Sequence, residues 1–162
     1  MAAADLPTAD LLPLVSQLNA EYARAIDDDR LEDWPGFFVQ DCVYKITSAD
    51  NYRKGLPVGI VYADSKDMLL DRVAALREAS VYEHQTYRHL VGLPAILATA
   101  NGAVRVETPF LVVRIMRDGT MGLFATGRYV DTLVEDAGAL RFRERIVVCD
   151  SSRIDTLLAI PL

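Results

Sequence analysis

Three short turn sequences divide the second half of the chain, and they restrict its fold more strongly than any other feature. They are Asn101-Gly102, Asp118-Gly119 and Asp136-Ala137-Gly138. Asn-Gly and Asp-Gly favour the positive backbone φ angles of tight hairpin turns, and the runs between them are rich in β-branched and aromatic residues. The pattern predicts an antiparallel meander whose strands lie within residues 87–99, 103–117, 120–134 and 139–150.

The second of these runs changes its phase near Pro109. One face carries Val104, Val106 and Phe110, and the opposite face then carries Leu111, Val113 and Ile115. Proline cannot donate to the hydrogen-bond ladder of a sheet and is therefore common at bulges. We expect a bulge at Pro109 that bends the strand.

The first half of the chain has apolar residues at helical spacing. Residues 10–27 predict an amphipathic helix with Asp10 as its N-cap. Its inward residues would be Leu11, Leu14, Val15, Leu18, Tyr22, Ala25 and Ile26. The segment LEDWPGFF predicts a short helix or tight turn that holds Trp34, Phe37 and Phe38 in the core. A third helix, capped by Asp64 or Ser65, would bury Met68, Leu69, Val73 and Leu76.

Two further strands are predicted in this half, from the sequences CVYKIT and VGIVYA. Helices that precede a long antiparallel sheet indicate the α+β class. A strongly curved sheet wrapped over three helices would form a cone with either a pocket or a packed core inside. The sequence shows no repeat or linker, so we expect a single domain over residues 1–162.

The composition excludes several classes of protein. The hydrophobic fraction of 51% is that of an ordinary globular chain, and the net charge of −6 argues against nucleic-acid binding. No apolar run approaches the roughly 20 residues of a membrane span, and the start, MAAADLPTADLLPLV, lacks the basic residues of a signal peptide. Cys42 and Cys149 lie far apart in β-like runs, so we expect buried free thiols and a cytoplasmic protein.

Both histidines of the chain, His84 and His89, occur in the sequence EHQTYRHL. A spacing of five separates two helical side chains by about 140° around the axis and puts two strand side chains on opposite faces. The histidines therefore cannot converge on one ion without a sharp turn, and we expect them to be structural. The acidic cluster 27–29 is predicted to be a solvated turn, because no EF-hand spacing follows it.

A row of arginines marks the last predicted strand. Arg141, Arg143 and Arg145 alternate with apolar residues, which predicts a solvated face or, since arginine is favoured in interface ion pairs, a subunit contact. Arg128 could extend the row from the neighbouring strand. Glu144 is in phase with the apolar residues, so we expect it to pair with a buried arginine.

Several stretches of the chain resemble one known family. They are DDDRLEDWPGFFVQDCVYKIT, DRVAALREASVYEHQTYRHLVG and VVCDSSRIDTLLAIPL. In this order they are similar to the small (β) subunits of bacterial aromatic-ring-hydroxylating oxygenases, over nearly the whole chain. Within that family the chain resembles the small subunit of salicylate 5-hydroxylase most, with the anthranilate and halobenzoate enzymes as near relatives.

The resemblance implies a cystatin-like, NTF2-like cone that assembles with a large (α) subunit as three plus three and contacts other β subunits. It also implies that the large subunit holds a Rieske [2Fe-2S] cluster and a mononuclear iron, and that a separate electron-transfer chain supplies electrons from NAD(P)H. The chain would then be a structural, non-catalytic subunit of an oxidoreductase that hydroxylates salicylate or a related aromatic acid.

The residue types in this chain agree with the assignment of both iron centres to the large subunit. A Rieske centre takes two cysteines and two histidines, and a mononuclear oxygenase iron takes two further histidines and a carboxylate. This chain has two histidines in total, no Cys-x-His pair and no Gly-rich nucleotide loop. We therefore expect no catalytic, metal-binding or cofactor-binding residue in it.

Two alternatives use the same fold. One is a stand-alone isomerase, dehydratase or hydrolase for a small apolar substrate, with a pocket formed by Tyr22, Asp41, Tyr44 and His89. The other is a binding module for a small aromatic molecule. An enzyme of this kind would be active alone, whereas a β subunit would be inert alone.

Subunit contacts are expected at two places. The candidates are Arg88, His89, Arg141, Arg143 and Arg145, together with Leu157, Leu158, Ile160 and Leu162 of the apolar tail. A tail with so many apolar residues should be held against something. It either folds back into its own cone or packs against a neighbouring subunit.

Overall fold

A computed structural model describes residues 2–79, 84–153 and 158–162. Its helices are α1 (Thr8–Asp27), α2 (Ala49–Arg53) and α3 (Lys66–Glu78), with short 3-10 helices at Ala3–Asp5 and Trp34–Phe37. Its strands are β1 (Phe38–Ser48), β2 (Val61–Ala63), β3 (Gln85–Val91), β4 (Ala95–Ala100), β5 (Ala103–Met116), β6 (Met121–Asp136) and β7 (Ala139–Cys149). The α+β class is confirmed, with helices packed on one face of a curved sheet.

The sheet has the strand order β2-β1-β7-β6-β5-β3, and β4 also pairs with β5. Every pairing is antiparallel except that of β1 with β7, which is parallel. The expected sheet is therefore mixed rather than wholly antiparallel. Hairpin-connected strands must run antiparallel, but β1 meets β7 only after the whole meander, so no turn restricts their direction.

The predicted turns lie where the dipeptides place them. Asn101 and Gly102 have φ angles of 52° and 74° between β4 and β5, and Gly119 has φ 87° between β5 and β6. The predicted run 87–99, however, forms two strands. It is interrupted after Val91, where Gly92 donates its N–H to Pro109 O at 2.8 Å. A Cβ at Gly92 would lie 2.7 Å from the Pro109 ring, so only glycine permits this approach.

The predicted bulge at Pro109 is wrong. The inward face of β5 continues without a phase change through Thr108 and Phe110 to Val112, and the register shift lies after Val112. The Pro109 carbonyl points towards the break between β3 and β4, where it accepts from Gly92. The ring nitrogen of Pro109 faces the same side, because the N and O of one strand residue point in the same direction. Because the ladder is already interrupted there, the proline removes no strand-to-strand hydrogen bond and needs no bulge.

The helices bury the faces that their spacing predicts, with corrections at the ends. Helix α1 buries Leu11, Val15, Tyr22, Ala25 and Ile26, whereas Leu14 is exposed and Leu18 is half-buried. Its N-cap is Pro7 rather than Asp10. Ser65 caps α3 by accepting from Met68 N at 3.3 Å; Met68 is exposed. None of the helices in the described part is both long and apolar enough to cross a membrane.

Candidate functional site

The interior of the cone is the place where the fold brings polar and aromatic side chains together. Tyr22 from α1 makes edge contacts with Tyr129 of β6 and Phe142 of β7, with ring centroids 6.1 and 5.6 Å apart. Trp34 packs edge-on against Tyr44 of β1 at 5.1 Å. All five side chains are fully buried. Edge contacts of this kind favour the positive ring edge against the negative ring face and fix the aromatic rings in place.

The C-terminal segment, Leu158–Leu162, enters this interior. The hydroxyls of Tyr22 and Tyr44 donate to Leu162 O at 2.7 and 3.1 Å, and the Tyr44 hydroxyl accepts from Leu162 N at 3.1 Å. Trp34 Nε1 donates to the Tyr22 hydroxyl at 3.1 Å. Ile160 and Leu162 are buried. The tail therefore folds back into its own cone, which was one of the two expected arrangements.

Burial decides the protonation of these tyrosines. Removal from water raises the pKa of Tyr22, which Arg145 partly offsets, and raises the pKa of Tyr44 well above its ordinary value. Both hydroxyls consequently remain protonated hydrogen-bond donors near neutral pH. In this state they can hold a carbonyl oxygen but cannot act as bases.

A buried ion pair lies beside them. Arg145 donates through Nε and Nη2 to Asp131 Oδ1 and Oδ2 at 2.9 and 2.8 Å, and Nη2 also donates to Asn19 Oδ1 at 2.6 Å. Its guanidinium lies 3.9 Å from the ring centroids of Tyr129 and Phe142. Burial acts to lower the pKa of Arg145, but the Asp131 carboxylate raises it, so the guanidinium stays charged.

The expected arginine row does not exist, because the strand contains a bulge. The β6·β7 register shifts after Thr132, so that Phe142 pairs with Leu133 and Glu144 pairs with Thr132. Arg143 is the extra residue and is exposed, and Arg145 consequently turns inward like Phe142. One added residue reverses the face of every residue after it.

The structure also gives the positions of the other charged residues for which predictions were made. Glu144 is half-buried, and the acid paired with Arg145 is Asp131 instead. Arg141 is half-buried and donates to Gly36 O. Arg128 lies near Glu107, with Nε 3.6 Å from Oε1. Asp131 could have been found from sequence, since it is in phase with buried residues on β6.

The two histidines have separate positions, as their spacing predicts. His84 is exposed, whereas the His89 side chain is fully buried. His89 donates its backbone N–H to Asp27 Oδ2 at 2.8 Å, and its Nδ1 lies 2.6 Å from Asp27 Oδ1. The Asp27 side chain is only 3% exposed, so the expectation that residues 27–29 form a wholly solvated turn is wrong for Asp27. Asp27 and His89 are 62 residues apart in the sequence, so no local sequence pattern indicates this contact.

The alternative pocket is not assembled as expected. Tyr22 and Tyr44 meet at Leu162, but Asp41 is exposed on β1 and His89 is bound to Asp27. Of the candidate interface residues, Arg88 and Arg143 are exposed, and Leu158 is half-buried. His89, Arg145, Ile160 and Leu162 are buried within the chain. Leu157 lies outside the described residues.

Apolar side chains are exposed on the outside of the sheet instead. Leu90 of β3 and Leu123 of β6 are 61% and 67% exposed, and Met121 is also exposed. Leu90 is opposite Leu111 of β5, and Leu123 is opposite Val113. We call these residues the outer patch: Leu90, Leu111, Val113, Met121 and Leu123. In the part of the chain described, no three His, Cys, Asp or Glu side chains form a group that could hold a metal ion.

Comparison with known proteins identifies the family of the chain. A sequence model of the family described as "Ring hydroxylating beta subunit" matches residues 21–156. The chain belongs to this family. The resemblance read from the sequence is thereby confirmed, and with it the expectation that the chain is part of an oxidoreductase complex.

Three relatives show the extent of the likeness. The chain is 49% identical to the terephthalate 1,2-dioxygenase terminal oxygenase component subunit beta 1 of Comamonas sp, over 91% of the chain and 96% of that protein. It is 40% identical to the anthranilate 1,2-dioxygenase small subunit of Burkholderia cepacia, over 91% and 92%. The solved β subunit assigned to the aromatic-ring-hydroxylating dioxygenases of Novosphingobium aromaticivorans is 38% identical with a TM-score of 0.87, over 96% and 100%. The NTF2-like cone is confirmed by such structures.

Proposed function

We propose that this ring-hydroxylating β subunit has a structural, non-catalytic role in a terminal oxygenase that acts on an aromatic acid. The names of the relatives support the substrate class, because terephthalate and anthranilate are both aromatic carboxylic acids. Salicylate, expected from the sequence, belongs to the same class. The finer likeness to salicylate 5-hydroxylase stays a prediction.

The observation that carries the non-catalytic role is the engagement of the interior side chains with one another. The hydroxyls of Tyr22 and Tyr44 bind the chain's own Leu162, and Arg145 is bound by Asp131. An active site needs nucleophiles, acids or bases that can reach a substrate. Here the strongest candidates contact the protein itself.

The complex that we propose is the one that the resemblance implies. A large subunit would hold the Rieske cluster and the mononuclear iron, receive electrons from NAD(P)H through a separate chain, and assemble with this subunit as three plus three in the bacterial cytoplasm. The two free, buried cysteines, Cys42 and Cys149, fit a reducing compartment.

The outer patch supports assembly through the outside of the sheet. Leu90, Met121 and Leu123 are exposed in the isolated chain, Leu111 and Val113 between them are half-buried, and exposed apolar surface of this kind marks interaction sites. Arg88, on the same strand as Leu90 and opposite Val113 of β5, is an exposed cation beside this patch. A subunit contact at Arg143, which lies elsewhere on the sheet, stays a prediction.

Co-expression with the large subunit tests the proposal. We expect the complex, but not this chain alone, to oxidise terephthalate, anthranilate or salicylate, and we expect the large subunit to need this chain for assembly. Leu123→Glu should weaken assembly at least tenfold in Kd, whereas Leu14→Glu, at an exposed position on α1, serves as the matched control. A large subunit with full assembly and turnover in the absence of this chain contradicts the proposal, as does turnover of a small substrate by this chain alone.

A further inference from the structure

The C-terminal segment Leu158–Leu162 is held in the cone in the manner of a bound molecule. Tyr22 and Tyr44, from a helix and a strand, place two hydroxyl donors on one oxygen, Leu162 O. Two preorganised donors that converge on an oxygen are the usual means by which a protein site binds a carbonyl group. Arg72 adds a weaker contact to the segment, with Nη2 3.4 Å from Ala159 O.

The apolar side chains of the segment, Leu158, Ile160 and Leu162, pack in the hydrophobic core. A gap of about 20 Å³ remains beside Leu162, lined by residues that include Phe124 and Cys149. A second gap of about 80 Å³ lies beside Ile160, next to Asp27 and Gln85. The segment borders both gaps, so its departure would enlarge the space at each of them, and each is lined by both polar and apolar residues.

The interior also retains polar atoms that the segment does not use. Among the described residues, Gln85 Oε1, His89 Nε2 and the Tyr129 hydroxyl are buried without a hydrogen-bond partner. Buried polar atoms nearly always have a partner. His89 is oriented by Asp27 through Nδ1, so Nε2 is the ring nitrogen without a partner.

We infer that the interior of the cone is a binding site for a small apolar molecule that carries a carbonyl or carboxylate oxygen, and that Leu158–Leu162 is its internal occupant. Tyr22 and Tyr44 bind the oxygen, and the aromatic walls bind the apolar body. Because a tethered occupant has an effective concentration on the order of millimolar, an external ligand competes poorly in the intact chain. This inference concerns the chain alone and does not depend on the large subunit.

The test keeps the full chain during folding. A protease site is inserted between Arg153 and Leu158, the protein is folded and then cleaved, and native mass spectrometry follows the released peptide. Benzoate and acetophenone are the probes, detected by ligand NMR. We expect benzoate or acetophenone to displace the peptide and to bind the cleaved protein at least tenfold more tightly than the uncleaved protein.

Any of three results overturns the inference, and the first two concern a cleaved protein that stays folded. One is a cleaved protein that loses the peptide and binds neither probe. The other is a peptide that dilution and excess probe both fail to displace. If the cleaved protein unfolds on losing the peptide, added peptide or probe must restore its native circular dichroism, and failure to do so also overturns the inference.

Tyrosine variants test the recognition of the oxygen. The double substitution Tyr22→Phe and Tyr44→Phe should weaken peptide binding in the cleaved protein roughly tenfold to a hundredfold, since each neutral hydrogen bond is worth about tenfold. Tyr62→Phe removes a hydroxyl from an exposed tyrosine on β2 and should leave the affinity unchanged. Equal affinity in the double variant and the control refutes the assignment of Tyr22 and Tyr44.

Discussion

At the scale of single residues, Arg145 places a positive charge in the middle of the cone. It forms hydrogen bonds with Asp131 and Asn19 and lies against three aromatic rings. Its two charged hydrogen bonds to Asp131 join β7 to β6, and its contact with Asn19 joins both strands to α1. Aromatic rings cover the guanidinium and favour the cation through their negative faces. The pair therefore links the first helix to two strands of the sheet.

Removal of one partner of this pair should be costly. Arg145→Leu leaves the Asp131 carboxylate buried without its counter-charge, so we expect a loss of about 3–5 kcal/mol in the free energy of unfolding. The double variant Arg145→Leu and Asp131→Leu should recover much of that loss, because no charge remains buried. Urea denaturation of both variants measures the difference. Additive losses in the double variant would show that the two residues are not coupled.

Ionisation of the Cys149 thiol should lower the stability of the protein at alkaline pH. Burial, followed by the nearby Asp150, raises the pKa of this thiol to about 11 from 9.0. The native state thus favours the thiol over the thiolate, and this contribution is complete below pH 9 and disappears as the pH rises through 11. We expect the free energy of unfolding to fall over this range by at most about 3 kcal/mol. The fall should be shallower in Cys149→Ala, and equal slopes would contradict the assignment.

His89 should matter for stability rather than for turnover. His89→Ala leaves Asp27 without its contact to Nδ1, which we expect to cost about 1–3 kcal/mol. His84→Ala, at an exposed position, is the matched control and should change little. Thermal melting and turnover of the reconstituted complex measure the two effects. A complex with normal assembly and melting temperature but a thousandfold lower turnover would instead assign His89 to the chemistry.

At the scale of elements, the strand irregularities determine what the cone contains. The bulge at Arg143 turns Arg145 inward, and the pairing of β1 with β7 also shifts its register between Phe38 and Val43. Such bulges add local twist and bend strands. The bent strands meet the C-terminal segment, which fills the interior that their curvature encloses.

Deletion of residues 156–162 should loosen the cone and thereby weaken oligomer formation. Loss of the buried Ile160 and Leu162 side chains should lower stability by roughly 3 kcal/mol or more, which corresponds to a fall of about 6–12 °C in Tm. Light scattering measures the oligomer and calorimetry the Tm. Leu162→Ala should cost more than Leu158→Ala, since Leu158 is only half-buried. A truncated chain with unchanged Tm and full assembly at dilute concentration would show that the tail stabilises nothing.

At the scale of the whole molecule, one buried ion pair and the C-terminal segment lie within a largely apolar core, and a few apolar side chains are exposed on the sheet. The interior contains the Arg145–Asp131 pair and the tail, while the outer patch exposes Leu90 and Leu123. This arrangement suits a protein that is recognised through its surface. It agrees with membership of a family of subunits.

The purified chain should accordingly contain no stoichiometric iron or zinc and show no Rieske visible absorption. The reason is the ligand count, since two histidines cannot supply both oxygenase centres. Elemental analysis and absorption spectroscopy after chelation measure this, with the assembled complex as the positive control. One iron per chain that survives chelation would contradict the prediction.

Sequence alone determined the features that depend on neighbouring residues. The Asn101-Gly102 turn is a local consequence of residues that tolerate positive φ, and the buried stripe of α1 follows from helical spacing. The family and its cone could also be read, because the quoted stretches keep their order over the chain. No cofactor site was expected, from the same count of histidines and cysteines.

Only the tertiary structure decided which side chains meet across the cone. Asp27 and His89 are 62 residues apart, and Tyr22 binds Leu162 across 140 residues, so no local pattern reports either contact. The bulge at Arg143 gives no local signal, yet it puts Arg145 inside because side chains alternate strictly along a strand. Burial and register are properties of the assembled sheet, and they therefore determined which charged residues lie in the cone and which lie on its surface.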